Sequence, residues 1–204
     1  MSTSYKLIYF NIRGRGEVTR YLFAQAGVSY TDERIENKDW PALKPLTQYG
    51  FLPTLELNGG EHSITGSLVI PRYLAERPEF NLAGANPIEN AQIAGVANFL
   101  QDLEHAILKL VRVKDNKEEV TKDFTEVQVP NFFGKLDGFC STGGYLFQDK
   151  LTWVDFYFYE LYEWIVAVMP NILDNYSSLK KLTTTIENLP NIAKWIKDRP
   201  QSAY

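Results

Sequence analysis

A short apolar run, Leu7-Ile8, climbs to Tyr9-Phe10 and then breaks at Arg13-Gly14-Arg15-Gly16 before a helical pattern from Glu17. A phenol at a strand tip, facing the start of a helix, offers its O–H to an anion. The free N–H groups of the helix's first turn and the Arg15 charge add positive potential there. A thiolate is one anion such a group would favour. Trp40 and Lys44 are four residues apart on a short helix, so they share a face suited to an anionic, partly apolar ligand. Leu52-Pro53 directly precedes a strand, where proline removes a ladder donor and a cis peptide is one solution. Ser67 opens a helix after a strand, and its hydroxyl with the first-turn N–H groups could hold a carboxylate. Each residue also has a bland reading: rim packing for Tyr9, a surface pair, a loop proline, a helix cap. Together they put a phenol, an arginine, a tryptophan, a lysine and a helix-opening serine on one edge of one sheet.

The elements that position them follow from period and punctuation. Strands are expected at Tyr5–Phe10, Ser29–Ile35, Thr54–Leu57 and His62–Thr65, the last two joined by a turn at Asn58-Gly59-Gly60. Helices are expected over Glu17–Ala26, capped by Gly27, at Asp39-Trp40-Pro41, and from Ser67 to about Glu76. The order βαβ-α-ββα predicts a four-stranded mixed sheet carrying helices. The turn-rich stretch Pro78–Pro87 reads as a linker. Beyond it Ile93, Val96, Ala97, Leu100, Leu103, Ile107 and Leu110 recur at helical spacing. Further helices are expected over Lys117–Asp137, from Thr152, Ser178–Glu187 and Asn191–Lys197. Thr152 and Asp155 stand at capping-box spacing, and Leu151 can staple onto Phe156. The chain thus reads as α+β: residues 1–79 form the α/β domain, 80–88 the linker and 89–204 an all-helical domain.

The 204 residues are 45% apolar, enough for a sizeable core, and the net charge of −4 gives no electrostatic footprint for nucleic acid. No apolar run reaches membrane-spanning length, and the N-terminus lacks a signal peptide's regions. The single cysteine, Cys140, excludes an intramolecular disulfide and fits a reducing compartment, so a soluble, cytoplasmic protein is expected. His62 and His105 are too few and too far apart in sequence to argue for a metal.

The segments YKLIYFNIRGRGE, DWPALK, YGFLPTLE, SLVIPRYLA, LTWVDFY and IKDRP carry a resemblance along nearly the whole chain to the cytosolic glutathione S-transferases, most of all the sigma class and its nematode relatives. The resemblance implies a thioredoxin-like first domain, an all-α second domain and a homodimer, with Tyr49 near the interface. It implies a detoxifying transferase that joins the glutathione thiolate to small hydrophobic electrophiles, with peroxide reduction as a second outlet. Glutathione is then a co-substrate, and no metal is needed. Tyr9 matches the catalytic tyrosine that donates to the glutathione sulfur, and Arg15 an arginine beside it. Trp40 and Lys44 match residues at the glycyl carboxylate. Gly50 and Phe51 precede Leu52, whose backbone pairs with the cysteinyl part before a cis Pro53. Gly66 and Ser67 match the γ-glutamyl site. Asp102 matches an acid that reaches the partner subunit's ligand. The second substrate is expected between the domains, near Phe10, Gly14, His105, Tyr157, Leu161 and Tyr204, although the aromatic run Trp153–Tyr159 reads equally as core.

Two positions depart from the family pattern. Phe51 stands where Gln or Lys is usual, and Gly66 where Gln is usual; each removes a side-chain contact to glutathione. A hydrogen bond to a charged group is worth about 1.5–3 kcal/mol. Restoring either side chain should tighten binding, unless the Gly66 backbone needs φ > 0. The losses lend weight to an S-crystallin-like or ligand-binding protein with little activity. A glutathione-dependent prostaglandin isomerase shares the same scaffold and stays open as the other alternative.

Overall fold

The computed structural model describes residues 3–202. Four strands, β1 (Tyr5–Phe10), β2 (Thr31–Ile35), β3 (Thr54–Leu57) and β4 (His62–Thr65), form one sheet in the order β2-β1-β3-β4. β2 runs parallel to β1, and β3 and β4 are antiparallel to their neighbours. The helices here are α1 (Glu17–Ala26), α2 (Trp40–Leu43) and α3 (Val69–Ala75), so the thioredoxin-like order expected from the sequence is present. β2 starts two residues later than expected, and α3 begins at Val69 after a turn at Ser67-Leu68.

Alternation along β1 sets two faces. Tyr5, Leu7 and Tyr9 are buried, and the Tyr5 ring meets Phe23 of α1 at 5.4 Å. Lys6, Ile8 and Phe10 point the other way. There Lys6 bridges Glu33 at 3.2 Å and Glu56 at 2.7 Å, while Phe10 meets Trp40 at 5.3 Å.

The second compact unit, Ala83–Asn188, is helical. It holds α4 (Pro87–Arg112), α5 (Lys117–Asp123), α6 (Val129–Gly143), α7 (Trp153–Val166) and α8 (Ser177–Glu187). Asn86 caps α4, accepting the Ile88 and Glu89 N–H groups, and Pro87 fills the first helical position. The helix expected over Lys117–Asp137 is broken by a π-helical turn, Phe124–Gln128, and then continues to Gly143. Pro130, which has no N–H to donate, follows that turn. At α7 the buried Asp155 carboxylate accepts the Thr152 N–H at 2.7 Å and the Leu146 N–H at 2.8 Å. No helix among the described residues is long and apolar enough to cross a membrane.

The last helix, α9 (Pro190–Asp198), belongs with the first unit. The sequence reading counts α9 with the helical domain; its contacts lie with the sheet unit, where α9 packs on α1 and Asn191 donates to the Gln25 carbonyl at 3.1 Å.

Candidate active site

Register brings the expected residues to one edge. Ile8 pairs with Thr54, and Thr54 pairs with Thr65. The end of β1 with Tyr9, the start of β3 with Leu52-Pro53 and the end of β4 with Gly66-Ser67 therefore lie side by side. The Leu52–Pro53 peptide is cis, as expected. The Pro53 carbonyl accepts the Gly66 N–H at 3.0 Å, which joins the two segments. α2 closes the edge: Tyr9, Ile35 and Leu52 form a buried cluster, with Phe10, Trp40 and Leu43 packed on it. Lys44 runs past Gly50, where an added Cβ would sit 3.6 Å from Lys44 Cε.

Tyr9 is 6% exposed, and its hydroxyl oxygen accepts the Arg15 backbone N–H at 3.0 Å. The two glycines explain themselves here. Gly14 has φ +40°, and a Cβ on it would lie 2.9 Å from the Tyr9 hydroxyl oxygen. A Cβ on Gly16 would lie 2.6 Å from the ring's Cδ1. Residues 14–16 form a single 3-10 turn that wraps the phenol and runs into α1. The sequence reading gave Arg15 a role through its charge; the structure adds its backbone N–H, which holds the hydroxyl.

Gly66 answers the question left by its departure from the family pattern. Its φ is +128°, and an added Cβ would meet Val69 Cγ2 at 3.2 Å. Its N–H is committed to Pro53 and its carbonyl to the Ile70 N–H, so the backbone at this position is already used. The condition attached to the expected gain from a glutamine is therefore met: this backbone is shaped for glycine. Phe51 is 46% exposed and stacks on Tyr49 with ring centroids 5.9 Å apart.

The second-substrate residues fare unevenly. Phe10 is half-buried between Tyr9 and Trp40, and Gly14 is buried beneath the Tyr9 hydroxyl. Tyr157 and Leu161 are 2% and 0% exposed, core residues of the helical unit with no surface for a ligand. Tyr157 donates to Glu104 at 2.5 Å, and both groups are buried. Burial at both positions fits the core reading given for this helix. His105 is exposed on α4 and borders a cavity of about 250 Å³ with Lys109, Phe124 and Gln128 beside the π-helical turn. Asp102 is exposed on α4. Tyr204 lies outside the described residues.

Sequence reasoning missed four buried charged groups among the described residues: Glu17, Arg20, Glu104 and Glu160. Glu104 stands inside the apolar stripe Leu100-Leu103-Ile107, a signal that was available. Arg20 donates to Asp32, Glu17 and the Ile12 carbonyl. Burial works against its charge, and Glu17 and Asp32 outweigh that and raise its pKa.

Comparison with known proteins agrees with this geometry. The profile "Glutathione S-transferase, N-terminal domain" matches residues 5–76, and "Glutathione S-transferase, C-terminal domain" matches 101–199. A hematopoietic prostaglandin D synthase from Gallus gallus is 37% identical over 200 residues, covering 98% of both chains. Glutathione S-transferase 1 of Ascaris suum is 37% identical over 207 residues, again covering 98% of both. The crystal structure of a monomeric glutathione S-transferase from Necator americanus superposes with a TM-score of 0.88 at 30% identity, over 98% of this chain and 100% of that one. With its thioredoxin-like sheet, its phenol-bearing edge and matches along both units, this chain belongs to the glutathione S-transferase family.

Proposed function

We propose that the chain joins the glutathione thiolate to small hydrophobic electrophiles, and that Tyr9 is the group that stabilises the sulfur. The observation that carries this is the Tyr9 phenol held in a glycine-walled turn, its oxygen fixed by the Arg15 N–H at 3.0 Å. A free thiol titrates near about 8.5, so little of it is thiolate at neutral pH. A pre-aimed O–H donor favours the anion without itself ionising, as an oxyanion-hole group does. The thiol proton leaves to solvent. The sulfur's electron pair then forms a bond to an electrophilic carbon, and the leaving group departs with its own pair.

The tripeptide's glycyl carboxylate is assigned to Trp40 and Lys44, the latter running past Gly50, with Phe51 next along the chain. Its cysteinyl backbone is assigned to Leu52, and its γ-glutamyl carboxylate to Ser67. Phe10 and His105 remain the candidates for second-substrate contact. A cytoplasmic homodimer with Asp102 acting across subunits completes the reading.

Tyr9→Phe tests it, because the change keeps the ring and removes the hydroxyl, the donor to sulfur together with the acceptor of the Arg15 N–H. Conjugation should fall at least tenfold, about 1.4 kcal/mol, the scale of one good hydrogen bond. Unchanged turnover at saturating glutathione would refute the role. A wild-type chain that binds immobilised glutathione and turns over no electrophile would be a binding protein instead. Similarity to prostaglandin D synthases favours a second reading, a glutathione-dependent isomerase. Product analysis separates the two: conjugation keeps glutathione in the product, and isomerisation returns it.

A further inference from the structure

We propose that Arg20 positions Tyr9, and that helix α9 sets that position through Glu17. This deepens the proposed function and rests on Tyr9 being the sulfur's donor.

Arg20 is fully buried, and most of its hydrogen bonds do not serve its own helix. Its Nη1 donates to the carbonyls of Ile12 at 2.8 Å and Arg13 at 3.3 Å, and its Nη2 reaches the Phe10 carbonyl at 3.5 Å. These are backbone groups of the segment that leaves Tyr9. The guanidinium carbon also stands 5.8 Å from the centre of the Tyr9 ring. One cation therefore gathers the loop behind the phenol, while the Arg15 N–H holds the phenol's oxygen in front. Lysine could not do this: it lacks the planar fork that serves several acceptors at once.

Arg20 is itself held by two acids. Its Nε lies 3.1 Å from both Asp32 oxygens, and Nη1 lies 3.0 Å from Glu17 Oε2. The other Glu17 oxygen accepts the Trp195 indole N–H at 2.7 Å and Arg199 Nη1 at 3.0 Å. Arg199 donates also to the Tyr21 hydroxyl at 2.7 Å. Past α9, the Ser202 hydroxyl oxygen accepts the Arg13 N–H at 3.2 Å. The path runs from α9 to Glu17, to Arg20 and to the carbonyls behind Tyr9. Buried ion pairs can often be replaced by apolar packing with little loss of stability. A network whose donors converge on the loop of one phenol is better accounted for by aiming that phenol.

The readout is the pH midpoint at which glutathione bound to the enzyme becomes thiolate, followed by ultraviolet absorbance beside kcat and KM. The variants are Tyr9→Phe, Arg20→Lys and Trp195→Phe; the last removes one distal donor and carries the test if Arg20→Lys does not fold. Arg20→Lys and Trp195→Phe should each raise the midpoint by about half to one pH unit and lower kcat at neutral pH about three- to tenfold. KM for glutathione should stay near wild type, since the contacts along the rest of the tripeptide are untouched. A merely structural role lowers thermal stability and the active fraction but leaves the midpoint in place. A wild-type midpoint in a folded variant, with Tyr9→Phe shifted, overturns this proposal alone. An unshifted Tyr9→Phe overturns the role of Tyr9, and this proposal with it.

Discussion

Gly16→Ala is the sharpest test of the glycine cradle, because backbone strain does not enter. Gly16 has φ −88° and ψ −18°, a conformation alanine adopts freely. At the N-cap of α1 alanine is a slightly poorer cap than glycine, but most of the penalty is steric. The new methyl would sit 2.6 Å from Tyr9 Cδ1, 2.8 Å from Cγ and 3.2 Å from Cβ, whereas ordinary contacts begin near 3.4 Å. The ring, or the turn that wraps it, must therefore shift by roughly 1 Å. Overpacking of this size costs about 1–3 kcal/mol of stability. The functional cost is larger in proportion, since a misplacement of about 1 Å at a reacting group can cost a hundredfold in rate.

The assay is steady-state conjugation with a chlorodinitrobenzene, beside urea unfolding. Gly138→Ala on α6 is the control: nothing lies within 4 Å of a Cβ there, so it should gain about 1 kcal/mol and keep full activity. The double variant Gly16→Ala/Tyr9→Phe should be little worse than Tyr9→Phe alone, because both act through one hydroxyl. A folded Gly16→Ala protein with wild-type kcat would refute the reasoning. So would full additivity in the double variant.

Phe51→Gln should tighten glutathione binding by about 1 kcal/mol in calorimetry, one net hydrogen bond. Gly66→Gln should instead lose at least ~1 kcal/mol of stability, because φ +128° suits only glycine and Val69 crowds the new side chain. Equal gains at both sites would show the strain argument to be wrong. Burial pushes the Asp155 carboxyl up from 3.8 to about 6, against the N–H groups that favour its charge. A raised folded-state pKa means this group's stabilisation is fully present below about pH 4 and is lost as pH rises through about 6, some 3 kcal/mol in all. Urea midpoints between pH 4 and 7 should therefore fall more, or rise less, in wild type than in Asp155→Asn; parallel curves would contradict it. Tyr49 is 61% exposed and stacked on Phe51, with Leu46 81% exposed nearby in sequence. We expect a homodimer of the 23.4 kDa chain that Tyr49→Ala dissociates; a wild-type monomer at micromolar concentration in sedimentation would rule it out and remove Asp102 from the neighbouring site.

Much of the site was legible because it is built from local signals that register then converts into proximity. Period-two alternation bounded β1, β3 and β4, and Asn58-Gly59-Gly60 marked their turn. Once those three strands pair, Tyr9, Leu52-Pro53 and Gly66-Ser67 have to meet at one edge, whatever the rest of the chain does. The capping spacing of Thr152 and Asp155 fixed the start of α7 in the same local way.

What the sequence could not disclose depends on contacts between residues far apart in the chain. Charged residues default to the surface, so nothing local says that Glu17 and Arg20 are buried. They are buried because Asp32 on β2 and Trp195 and Arg199 near the chain's end fold back to pair with them, which also packs α9 on the sheet unit. Gly14 and Gly16 read as a turn; only the packed Tyr9 ring shows that they are empty so that the phenol can fit. Tyr157 could have been pocket or core, and its bond to buried Glu104 across α4 and α7 decided for core. The sequence alone determined the strands, the turns and the edge, because those follow from period and backbone preference. The tertiary structure decided which polar groups are buried and what they aim, because burying a charge requires a partner that only the folded chain supplies.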